Sequence, residues 1–175
     1  MNDKSLFRFE FINTIFITIM GFLLHFAFSW SNNNLGIGSF SAINESIWEH
    51  LKLLFFPSLI TILVGSYYLK EKYPNYLSVK TKALIISLFF IVTTYYTYSG
   101  IIGTHFPIID ISIFIIGVVI EELITYKKVN KKSLSWRLYF FLLILFTFIF
   151  VYFTYNPPRI NIFKDPITDA YGIKK

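Results

Sequence analysis

Between Ser39 and Pro57 the chain reads SFSAINESIWEHLKLLFFP. Two glutamates (Glu45, Glu49), a histidine (His50) and a lysine (Lys52) stand at the opening of an apolar run. Carboxylates and imidazoles are the usual groups of general acid–base catalysis and of zinc sites with oxygen and nitrogen ligands. On a helix, Glu45 and Glu49 share a face because they are four apart, and Lys52 follows three after Glu49. His50 points about 100° away, stacked over Ser46. The stretch therefore offers a carboxylate stripe and, beside it, an imidazole.

Other polar residues fall at comparable places. His25 lies near the far end of the first apolar run, Tyr95, Tyr96, Tyr98 and Ser99 close the third, and His105 and Asp110 open the fourth. Asp165 and Asp169 lie in the C-terminal tail. The candidate catalytic groups are Glu45, Glu49, His50 and Asp110. The candidate binding groups are Lys52, Trp48, Tyr98 and Asp165, and the candidate metal ligands are His25, His50 and His105. A structural reading stands beside each. The glutamates suit a helix start, Lys52 can snorkel, and Trp30, Trp48 and the tyrosines suit a membrane interface. Glu121 and Glu122 form a separate pair near the end of the fourth run. Asp110, Gly117 and Glu121 share one face of it, which suits close helix packing or an ion path, with packing favoured.

Hydrophobic residues make up 55% of the 175-residue chain and charged ones only 15%, too few to solvate a water-soluble domain of this size. Several apolar runs reach the length that spans a hydrocarbon core. The sequence predicts one all-α domain over 1–175, a polytopic membrane bundle with five transmembrane helices. They span about 11–30, 46–69, 83–100, 107–126 and 134–155, with a short extracytoplasmic tail at 156–175. The first is read as an uncleaved anchor, because its apolar part exceeds a signal core. Asn44 and Ser46 compete to cap the second, which carries Pro57 mid-run and a kink there. Lys4 and Arg8, the connection 70–82 and the connection 127–137 hold eleven of the sixteen Lys and Arg, whereas loops 31–43 and 101–106 hold none and the tail holds Arg159, Lys164, Lys174 and Lys175. The positive-inside rule then gives an N-in, C-out topology. That topology gathers all three histidines and most membrane-level acids on the outer face, where ionisable groups are functional candidates by default.

The net charge of +6 lies in loops between apolar runs, which excludes a nucleic-acid partner of the basic-stripe kind. No cysteine is present, so thiol catalysis and thiolate metal sites are excluded. His-Glu-x-x-His, Gly-x-Ser-x-Gly, P-loop and Gly-x-Gly-x-x-Gly motifs are absent. Glu121-Glu122 lacks the arginine and later histidines of an intramembrane Abi-type protease.

Leu24-His25-Phe26, Trp30-Ser31, Phe40-Ser41-Ala42-Ile43-Asn44-Glu45-Ser46, Trp48-Glu49-His50-Leu51-Lys52 and Tyr96-Thr97-Tyr98 together resemble a bacterial family of small multi-pass membrane proteins. Ile109-Asp110, Pro157-Pro158, Phe163-Lys164-Asp165-Pro166 and Tyr171-Gly172 extend the resemblance over nearly the whole chain. That family is known only as a domain of unknown function. The resemblance implies a bacterial cytoplasmic-membrane protein and carries no chemistry.

The residues themselves favour a membrane-embedded hydrolase acting on a lipid or lipid-linked substrate, with a divalent metal such as zinc held by the histidines and acids. A remaining carboxylate would act as general base. The alternatives are a small proton- or ion-coupled transporter and a non-catalytic membrane subunit or sensor. The expected partner is the lipid bilayer, with a homo-oligomer or a membrane partner compatible with the small bundle.

Overall fold

The computed structural model describes residues 3–131 and 135–173. The expected helix start at Leu134, and the charges of Lys132, Lys174 and Lys175, lie outside the described residues. Among the described residues six α-helices follow one another: α1 (Lys4–Trp30), the short α2 (Leu35–Gly38), α3 (Ile47–Tyr68), α4 (Tyr76–Ile102), α5 (Pro107–Lys128) and α6 (Trp136–Tyr155). A 3-10 turn, Asn161–Phe163, breaks the tail.

Four of these, α1, α3, α4 and α6, are long and apolar enough to cross a membrane. α5 has the length of α3 but carries Asp110, Glu121 and Glu122. An all-α chain with four such helices is compatible with an integral membrane protein. α3 is the central helix. Two thirds of its apolar window is buried inside the bundle, against 22% for α1 and α6. Leu54, Phe55 and Ile62 of α3 pack with Ile17 of α1, Leu84 and Leu88 of α4, Val118 of α5 and Phe150 of α6. Gly117 brings α5 against α4, since a Cβ there would stand 2.9 Å from Ile91 Cδ1.

The helix starts follow local chemistry. Asp3 accepts from Ser5 and Leu6 backbone N–H groups, so α1 begins well before residue 11. The contest over α3 is settled by Ser46, whose Oγ accepts from Glu49 N, while Asn44 Oδ1 accepts from Ser46 N and shapes the turn before it. α3 then runs on through Pro57 to Tyr68. Pro107 occupies the first turn of α5, and Gly103, with φ +82°, ends α4 in the left-handed region.

A second expected boundary is corrected. The connection placed at 70–82 is shorter, and Lys80 and Lys82 belong to α4. Tyr76, Lys80, Leu84, Leu88 and Ile91 form one buried face at helical spacing. Lys80 stays on that face because carboxylates of α1 and α5 meet it there.

Candidate functional site

One end of the bundle gathers the ends of α1, α4 and α6 with the starts of α3 and α5. His25 near the end of α1 meets His50 in the first turn of α3, with Nε2 atoms 3.3 Å apart. Glu45 lies in the turn ahead of α3, because Ser46 is the extended N-cap. It therefore does not share a helical face with Glu49. Its Oε2 is 3.4 Å from His50 Nε2 and 3.8 Å from His25 Nε2.

The orientation of His50 is fixed from behind. Its Nδ1 lies 2.9 Å from Ser46 O, and a carbonyl only accepts, so Nδ1 carries a proton. When the ring is neutral, Nε2 presents its lone pair to His25 and Glu45, the arrangement a metal-ligating histidine needs; when the ring is protonated, Nε2–H points at Glu45. Glu45 is held below the usual carboxylate range, first by its contact with the His50 imidazole and then by the charges of His50, His25 and His105, against an upward push from burial. The circle through the three facing atoms has a radius of about 2.0 Å, the length of a zinc–nitrogen or zinc–oxygen bond.

These residues stand at the mouth of a cavity of about 220 Å³. Across it, His105 Nδ1 is 3.0 Å from Asp110 Oδ2, and Tyr98 donates its hydroxyl hydrogen to Asp110 Oδ1. Tyr98 in turn accepts from Phe106 N at 3.2 Å, so the α4–α5 turn is tied to the pair. Deeper walls are apolar: Phe22 of α1, Leu53 of α3, Ile91 of α4, and Ile113 and Phe114 of α5. Phe22 of α1 and Ile111 of α5 line the cavity and are exposed, so it is open to the outside of the protein. Ile167, from the tail, stands at its rim.

The cavity thus brings together His25, Glu45, His50, His105 and Asp110, and Tyr98 supports them from one side. Other residues singled out in the sequence do not line it. Glu49 and Lys52 are buried on another face of α3. Lys52 Nζ contacts Glu49 Oε2 at 2.5 Å and donates to Gly38 O at 2.8 Å and Thr154 Oγ1 at 2.9 Å, joining α2, α3 and α6. Glu49 also accepts from Ile43 N. Trp48 packs among Phe150, Phe153 and Phe163, which seats the tail on α3 and α6. Asp165 closes a tail turn through Ile167 N and Thr168 Oγ1.

Of a further polar centre, the sequence singled out only Glu121 and Glu122. Glu10, Lys80 and Glu122 meet inside the opposite half of the bundle, beside Glu121. Its signal was present in the spacing. Leu6, Glu10, Asn13, Ile17 and Gly21 are the buried residues of α1, and they recur every three or four positions. A polar residue inside such a stripe needs a partner from another helix.

A family model described as a family of unknown function (DUF6512) matches residues 2–173. No curated protein and no solved structure matches the chain.

Proposed function

The chain belongs to this family of unknown function, and we propose that it is a membrane-embedded hydrolase acting on a lipid or lipid-linked substrate at a divalent metal centre held by His25, Glu45 and His50. The observation that carries this reading is the triangle of two imidazole nitrogens and one carboxylate oxygen, whose edges of 3.3, 3.4 and 3.8 Å suit one small ion. Two nitrogens and one oxygen are a donor set that zinc accepts at catalytic centres, with a further position left for water or substrate. A divalent ion held by these residues would supply Lewis acidity toward an ester or phosphoryl oxygen. His105 and Asp110, across the cavity, are placed to take and return the proton of the attacking water. The apolar walls accept an alkyl chain while the charged mouth holds the polar group.

In this reading α5 is the fifth crossing. Its acids are turned inward, Glu121 and Glu122 onto Ser58 and Lys80 and Asp110 onto His105 and Tyr98. The cavity faces outward from a bacterial cytoplasmic membrane, N-in and C-out, in keeping with the basic residues at the opposite end of the bundle.

Metal analysis of protein purified without chelators tests the assignment. About one divalent ion per chain is expected, with loss in His25→Ala and His50→Ala and retention in Glu49→Gln. Wild-type protein without stoichiometric metal would overturn it.

A further inference from the structure

Glu10 and His25 lie on the same helix, about 22 Å apart at the helical rise. Around Glu10 a second polar centre is sealed inside the bundle. Lys80 Nζ of α4 donates to Glu10 Oε2 of α1 at 2.7 Å and to both carboxylate oxygens of Glu122 of α5 at 2.7 and 2.6 Å. Glu121, also of α5, accepts from Ser58 Oγ of α3 at 2.7 Å. Asn13 Nδ2 of α1 reaches Glu10 Oε2 and the Tyr76 hydroxyl of α4, each at 3.4 Å. Glu10, Lys80, Glu121 and Glu122 are only 3, 0, 0 and 4% exposed.

Three carboxyl groups here face one ammonium. Left fully ionised, the cluster would carry surplus negative charge in a medium that solvates charge poorly. Two of its oxygens, Glu10 Oε1 and Glu121 Oε1, are buried with no hydrogen-bond partner among the described residues. A bound cation would offset the surplus charge. A divalent ion does not fit: among the described residues only His25, Glu45 and His50 bring three such ligands to one point. A proton needs a single oxygen and removes a charge.

At this end a recess of about 170 Å³ is lined by Ser66, Lys70, Tyr73, Pro74, Tyr76 and Leu77, with Trp136 beside them. Tyr76 belongs to both places, touching the recess and holding Asn13. Gly65 makes room for it, since a Cβ there would lie 2.3 Å from the Tyr76 ring. Ser66 Oγ, in the recess, is buried and unpartnered among the described residues.

We propose that Glu10, Glu121 and Glu122 form a proton-binding site around Lys80, exchanging protons with water in the recess by way of Tyr76. The site is separate from the metal centre and stands whether or not that centre holds an ion. The groups that face it are Glu10 and Asn13 from α1, Ser58 from α3, Tyr76 and Lys80 from α4, and Glu121 and Glu122 from α5.

Infrared difference spectroscopy of the whole protein in lipid nanodiscs, titrated from about pH 5 to about pH 9, tests this. Wild type is expected to show a carboxylic-acid C=O band at neutral pH that shifts in D₂O. Glu121→Gln or Glu122→Gln should remove about half of it. Tyr76→Phe should keep the band and slow its D₂O shift several-fold. A wild-type spectrum without the band, or a band that persists unchanged in both glutamine variants, would overturn the proposal. An unchanged exchange rate in Tyr76→Phe would overturn the route. Should the glutamine variants fail to fold, wild type labelled with ¹³C-glutamate decides: a band unmoved by the label rejects the site.

Discussion

Glu45 meets the histidines because it is not in a helix. With Ser46 as the N-cap, the preceding residue is free to turn toward His25, whereas Glu49, one turn into α3, is carried to the opposite side and onto Lys52. The sequence made both glutamates visible, and helical spacing wrongly put them on one face, because a cap moves the boundary by one or two residues and so rotates a side chain out of register. The low position of the Glu45 carboxyl has a sign that can be checked. The unfolded chain takes up this proton near the ordinary value of 4.5, the folded chain only at lower pH. Its contribution to stability is therefore complete above about pH 4.5 and fades as pH falls through the folded value. In thermal unfolding with chelator present, Glu45→Gln is expected to lie below wild type at neutral pH and to converge with it in acid. A gap that is the same at every pH would contradict the contact with His50.

At the scale of elements, the apolar runs announced every long helix, since length and composition suffice for that. Which helix faces which was not legible. Lys80 looked like a loop charge because lysines cluster around it in the sequence, and only the approach of α1 and α5 makes it an interior residue. Lys52 is the counterpart at the other end. It joins α3 to α2 and α6 through Glu49, Gly38 and Thr154. Lys52→Met should destabilise the fold by about 3–5 kcal/mol, because it leaves Glu49 buried without its counter-ion. Lys52→Met combined with Glu49→Leu should recover much of that loss. Unfolding by denaturant, with the two single variants and the double variant compared, measures it. Additive losses would mean that the pair does not act as a unit.

For the whole molecule, two polar centres occupy opposite ends of one bundle, one open to a cavity and one sealed. The absence of native cysteine makes their placement in the membrane directly measurable. Single cysteines at Asn34, Thr104 and Pro166 should react with an impermeant maleimide added outside intact cells, while those at Glu71 and Asn130 should react only after lysis. The reverse pattern would turn the cavity to the cytoplasm. One small contact has a consequence for how the protein is made. Asn44, which shapes the turn bearing Glu45, donates to the carbonyl of Gly172. A ribosome produces that partner 128 residues later. Until Gly172 has been made, the turn therefore stays unclamped. Assembly of the cavity mouth is thereby deferred until all six helices have left the ribosome's catalytic centre.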